Sequence, residues 1–150
     1  MSQRIFNKQG GFTLLELLIV IVIIGILALL IIPNITSAPK KARDTKRKTD
    51  ITTVRKGLEE YYVSNNAYPV SASATVISSA LADLSTGAAP ILKNIPADPK
   101  NTSPFQYLYT SDGTTYTLTA CLENDQDNGA NVGSAVAPCT TKTFTVVNGN

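Results

Sequence analysis

The sequence predicts an α+β fold: a long amino-terminal helix, apolar through its first half, packed by its second half on a small antiparallel sheet of about three strands. Three patterns predict it. An apolar run extends from Phe12 to Ile32; Ile51, Val54, Leu58 and Tyr61 recur at three and four residues; and the last third alternates apolar with polar side chains in short segments separated by turn residues.

The first half of the helix follows from length and composition. Rising ~1.5 Å per residue, Phe12 to Ile32 covers about 30 Å, the thickness of a bilayer's hydrocarbon core. Its single charge is Glu16. A carboxylate is costly on an apolar helix in lipid, so two readings stand: Glu16 lies near enough to the interface to stay hydrated, or it meets a cation from elsewhere. Gly25 is a poor helix former, and Pro33 lacks a backbone donor and crowds the preceding turn, so the helix is expected to be weakest between them. Pro39 adds a second expected break.

Lys40, Lys41, Arg43, Lys46, Arg47 and Lys48 form a basic cluster in which Ala42 is the sole apolar residue. This stretch is expected to bury nothing in the monomer. It reads as a collar at a membrane surface that meets acidic groups of neighbouring subunits. DNA or anionic headgroups are the other reading, although no aromatic residue lies within the cluster for a base to stack on. The apolar stripe begins at Ile51, where the helix starts to pack on its own domain, and Asn65-Asn66 followed by Tyr68-Pro69 stop it.

Residues 70 to 100 are rich in Ser, Ala and Pro; Val76 to Leu84 is a candidate short helix, and Pro90, Pro96 and Pro99 punctuate the rest. Strands follow. Phe105, Tyr107 and Tyr109 alternate with Gln106 and Leu108, Asp112-Gly113 supplies turn chemistry, and Tyr116, Leu118, Ala120 and Leu122 alternate with Thr115, Thr117, Thr119 and Cys121. Lys142 to Val147, with Phe144 and Val146 on one face, makes a third strand, and the polar loop Glu123 to Pro138 precedes it.

Composition narrows the chemistry. The 150 residues carry a net charge of +2, unevenly placed, with the basic cluster after the apolar run and Glu123, Asp125 and Asp127 late in the chain. The positive-inside rule puts residues 40 to 48 on the cytoplasmic side, against only Arg4 and Lys8 before the run. Cys121 and Cys139, the only cysteines, point the other way, since they suit a disulfide in an oxidising compartment; two free buried thiols in a cytosolic domain are the alternative. There is no histidine, and no Ser, Lys or Cys sits in a nucleophile motif, so the chain is not expected to be an enzyme. No cofactor is expected, save that Glu123, Asp125 and Asp127, ahead of Gly129, alternate as calcium ligands do; a solvated acidic turn is the plainer reading. A secretory signal peptide is disfavoured, because the run is longer than an ordinary signal core and no A-x-A site ends it.

One motif is more specific. Gly10-Gly11-Phe12-Thr13-Leu14-Leu15-Glu16, behind a short basic leader and ahead of the apolar run, resembles the type IV pilin and type II secretion pseudopilin class. The resemblance implies a pilin fold, cleavage by a prepilin peptidase between Gly11 and Phe12, N-methylation of Phe12, and a role for Glu16 in meeting the new amine of a neighbouring subunit. It divides the chain into a leader peptide (1–11), a transmembrane and polymerisation helix (12–33), a helix continuation (34–66) and a globular head (67–150) with a carboxy-terminal disulfide loop.

The same resemblance implies a homo-oligomeric filament built by an inner-membrane platform protein and a cytoplasmic assembly ATPase. The chain is then a single-pass membrane protein before assembly and part of a surface filament after it. In similar pilins the interval corresponding to Gly25–Pro33 loses helicity on packing, and related major pseudopilins carry a structural calcium near the late acidic loop. The preferred expectation is a type IV pilus subunit for adhesion, twitching motility or DNA uptake. A major pseudopilin of a type II secretion system is the alternative, and a membrane-tethered binding domain that does not polymerise is the second. Direct DNA binding has no support beyond the basic cluster.

Overall fold

The computed structural model describes residues 11–86 and 89–148, and leaves the side chains of residues 30–36 undescribed. The chain divides into two compact units, Met1–Ser37 and Ala38–Asn150. Helix α1 (Leu14–Asn65) contributes to both.

In the first unit α1 opens on a reciprocal cap. The Glu16 carboxylate accepts the Thr13 backbone N–H at 2.9 Å and the Thr13 hydroxyl at 2.8 Å, while the Glu16 N–H donates to Thr13 Oγ1 at 3.2 Å. This capping box ties off amide donors that the first turn cannot use internally. Past it the helix presents its apolar side chains outward: among the described large ones, exposure runs from 46% at Val20 to 73% at Leu29. Among the described residues no helix is long and apolar enough to cross a membrane. The described side chains of the apolar run end at Leu29, so the part of the expected span that reaches Ile32 and Pro33 lies outside them.

The backbone is helical through Gly25, Pro33 and Pro39, so Pro39 does not make the second break expected of it. A proline forfeits one i→i−4 bond, but its fixed φ suits a helix, and several turns on either side hold the segment together.

In the head, Ile51, Val54 and Leu58 are fully buried along one face of α1. The helix stops where Asn66 turns left-handed at φ 54° and donates its N–H to the Tyr62 carbonyl at 2.7 Å. Five strands follow instead of three: β1 (Ser71–Val76), β2 (Leu108–Ser111), β3 (Tyr116–Leu122), β4 (Val132–Ser134) and β5 (Lys142–Val147). They form one sheet in the order β1-β2-β3-β5-β4, with every pair antiparallel. The expected strands are the central three, although β2 begins at Leu108 and not at Phe105.

The two strands missing from the expectation are the sheet's edges. β1 runs through the Ser/Ala-rich stretch and β4 lies in the polar loop; their side chains are mostly exposed, so no alternation marks them. What places them is a neighbour offering backbone partners. A short helix α2 (Ile77–Ala80) and a 3-10 turn (Ala82–Leu84) put Ile77, Leu81 and Leu84 into the core, as expected of Val76 to Leu84.

Tyr109, Tyr116, Leu118, Ala120, Phe144 and Val146 bring the sheet's inner face to the same core, with Tyr109 opposite Leu118 and Ala120 opposite Phe144. The hairpin between β2 and β3 turns at Gly113, whose φ of +94° suits glycine. One contact is tight: a Cβ on Gly57 would stand 2.8 Å from Leu92 Cγ, so the 90–95 segment lies directly on the helix only because residue 57 has no side chain.

Candidate functional site

Two sets of residues carry the functional argument. At the amino-terminal motif, Gly11 and Phe12 lie outside the helix and are exposed, and a Cβ at Gly11 would meet nothing within 4 Å. The peptide bond between them lies in exposed chain ahead of the helix. Glu16 sits one turn into α1 with its carboxylate engaged by Thr13. That engagement is local and exposed, which leaves it exchangeable for a stronger cationic partner. Thr13-Leu14-Leu15-Glu16 is a Thr-x-x-Glu capping signature; reading Glu16 only as a charge in an apolar run missed it.

The second set overturns the expectation that residues 40 to 48 bury nothing. Arg47 is 0% exposed. Its Nε and Nη2 clasp Asp98 at 2.6 and 3.0 Å, while Nη1 donates to Asp44 at 2.7 Å and to Glu123 at 2.8 Å. Arg43 holds both oxygens of Glu123 at 2.7 and 2.8 Å, and Lys100 adds a contact at 2.8 Å. Asp44 in turn accepts the backbone N–H groups of Glu123 and Asn124. Phe105 closes the cluster, its ring 4.7 Å from the Arg47 guanidinium carbon and 4.5 Å from Lys100 Nζ.

Three cations thus face three carboxylates where α1, the 96–100 segment and the end of β3 converge, and no buried side-chain polar atom among the described residues lacks a partner. Such a cluster is stable only as a complete set.

The electrostatics follow from the geometry. The Arg43 fork, with Lys100 and Arg47, outweighs burial and holds the Glu123 carboxyl well below the usual carboxylate range. Burial pulls the Arg47 guanidinium down, but hydrogen bonds to Asp98, Glu123 and Asp44 more than reverse it, so its proton is held above the ordinary arginine value. Beside this cluster Lys48 reaches Asp127 at 2.6 Å and lowers its pKa. Asp50 accepts from Lys46 at 3.2 Å and from the Tyr107 hydroxyl at 2.8 Å. Glu59 accepts two more phenols, from Tyr68 at 2.9 Å and Tyr116 at 2.7 Å; burial first and Glu59 second push Tyr68 up to about 12.

The basic cluster is consequently not a free collar. Arg43, Lys46, Arg47 and Lys48 are spent on carboxylates of their own chain, while Lys40 and Lys41 remain exposed. The missed signal is positional: Asp44, Arg47, Ile51, Val54 and Leu58 share the spacing of the buried stripe, which therefore starts two turns before its first apolar member. On the opposite face Thr45, Thr49, Thr52 and Thr53 are exposed, and each donates its hydroxyl to the carbonyl four residues earlier at 2.8–3.0 Å.

The same geometry places the three candidate calcium ligands. Glu123 is turned into the ionic cluster and Asp127 is held by Lys48, so of the three candidate ligands only Asp125 keeps an uncommitted carboxylate. Among the described residues no group of three or more His, Cys, Asp or Glu is placed to hold a metal ion. Cys121 and Cys139 are bonded to each other, closing the loop between β3 and β5.

An exposed Gly-Phe junction, an apolar helix bearing an early glutamate and an α+β head together define the class of prepilin-like filament subunits. A family model described as the prokaryotic N-terminal methylation motif matches residues 6–32. The chain belongs to the family of the type II secretion system protein G, whose model matches residues 34–137.

Type II secretion system core protein G of Pseudomonas aeruginosa is 36% identical over 142 residues, covering 85% of this chain and 96% of the relative. The Vibrio cholerae protein of that name is 32% identical, covering 87% of this chain and 91% of the relative. That of Escherichia coli is 46% identical over 66 residues, which is 44% of this chain and 46% of the relative. No solved structure matches significantly. These relatives bear the secretion name, so they correct the preference for a type IV pilus toward the alternative.

Proposed function

We propose that this chain is a major pseudopilin: a non-enzymatic subunit that polymerises into a short filament serving a type II secretion system. The observation that supports this most is similarity to core protein G along nearly the whole length of the chain, head included. The apolar half of α1, whose described large side chains are exposed in their own unit, is the polymerising element; it anchors the subunit in the membrane until neighbouring copies and lipid take over.

In this reading a prepilin peptidase cuts between Gly11 and Phe12, and the new amine is methylated. Glu16 then exchanges Thr13 for the cationic terminus of an adjacent copy, which sets axial register. Assembly is driven from the cytoplasmic side by an ATPase acting through a membrane platform protein. Melting of Gly25–Pro33 accompanies packing, and hydrogen exchange on assembled filaments tests it, since full helical protection there would dismiss it.

Deleting the chain from its cell decides the main question. A pseudopilin's loss leaves exported proteins retained and surface fibres unaffected; loss of antibody-labelled surface filaments with normal export assigns the chain to a pilus. One observation favours that second reading, the Cys121–Cys139 bond, because a cystine-closed carboxy-terminal loop resembles those of pilins.

A further inference from the structure

The loop between β3 and β5 is held at its root, its middle and its end, each time by a group of this chain. At the root, Asp44 takes the Glu123 and Asn124 amides. At the end, Cys139 returns to Cys121. In the middle stands the ammonium of Lys48.

That ammonium is closely fitted. It lies 2.6 Å from Asp127 Oδ2 and 5.8 Å from the centroid of the Phe144 ring. It would be 3.3 Å from a Cβ on Gly129, whose N–H donates to the other Asp127 oxygen at 3.0 Å. The turn from Asp127 to Gly129 thus folds over a cation that is covalently part of α1. A calcium ion needs six to eight oxygens, several of them anionic. With Glu123 and Asp127 committed, the donor set does not fit one.

We propose that Lys48 is a tethered counter-cation which, with the Cys121–Cys139 bond, does for this loop what a bound divalent cation would otherwise do. The head is then locked by oxidation of its thiols and is indifferent to calcium. Closing the lock removes two electrons and two protons from the thiols and passes them to a disulfide-bearing oxidant, so it belongs to an oxidising compartment. Both sulfurs' residues are buried, Cys121 to 2% exposure and Cys139 to 6%, so the bond is opened by reducing the chain while it is unfolded.

The test is thermal unfolding of the full chain in neutral detergent, followed by tyrosine near-ultraviolet circular dichroism. Millimolar calcium chloride and a chelator are expected to leave the midpoint unchanged, whereas reduction lowers it by about 10 °C or more. Lys48→Met and Asp127→Asn each lower it by a few degrees, on the order of what a partly buried ion pair supports, and the double variant falls no further than the worse single one. A midpoint raised by calcium, a midpoint insensitive to reduction, or strictly additive losses in the double variant would overturn the proposal.

Discussion

The two units of this chain solve opposite problems. From Phe12 to Leu29 the described large apolar side chains are all at least 46% exposed, while the head hides Ile51, Val54, Leu58, Leu81, Leu84 and Leu118 completely. The head even buries an arginine, because Asp44, Asp98 and Glu123 surround it. In the proposed reading, stability and association are written in different segments. The head closes its own accounts in hydrophobic and ionic terms, whereas the amino-terminal segment leaves its surface for lipid or for other copies to cover.

The sharpest way to break that contrast is at Glu16. Glu16→Ala is expected to reduce assembled fibre to background, measured by crosslinking of subunits in membranes, while the head unfolds at its normal temperature. A head destabilised by this change would show that the division of labour is false.

Arg47→Met attacks the other side. It strands Asp98, at 0% side-chain exposure, and Asp44, at 3%, without their main cation, which costs about 3–5 kcal/mol of head stability by the usual penalty for breaking a buried pair. Urea titration of the full chain in detergent measures it.

Acid acts on the same groups more gently. Glu123 and Asp127 have depressed pKa values in the folded head, so their stabilisation is complete above the unfolded carboxylate range and is lost as pH falls through the folded values. Unfolding midpoints should stay level down to about pH 5 and decline steadily below about pH 4.

Gly57→Ala forces Leu92 from the helix surface. Overpacking of ~1–3 kcal/mol, offset by ~1 kcal/mol of helix propensity, leaves a net loss of about 1 kcal/mol that the same titration reads. Thr49→Ala, on the exposed face, should change stability by less than ~0.5 kcal/mol.

Legibility followed the same division. The apolar run, its early glutamate and the glycine before it needed only local pattern, and so did β3 and β5, whose buried faces alternate. The edge strands β1 and β4 could not be read because their pairing is imposed by neighbours and their side chains face water. The role of Arg47 was hidden for a different reason. Two of its three partners lie 51 and 76 residues away, and a cation counted as one of a cluster is indistinguishable from one on the buried stripe until the helix face is considered. The cystine, by contrast, was accessible because only two cysteines exist to pair.

The row of threonines at 45, 49, 52 and 53 has a consequence beyond stability. Each hydroxyl spends its proton on its own backbone, so this side of α1 offers water fewer donors than its composition promises. Drying such a strip leaves no hydroxyl donor to be satisfied anew, which lowers the cost of covering it.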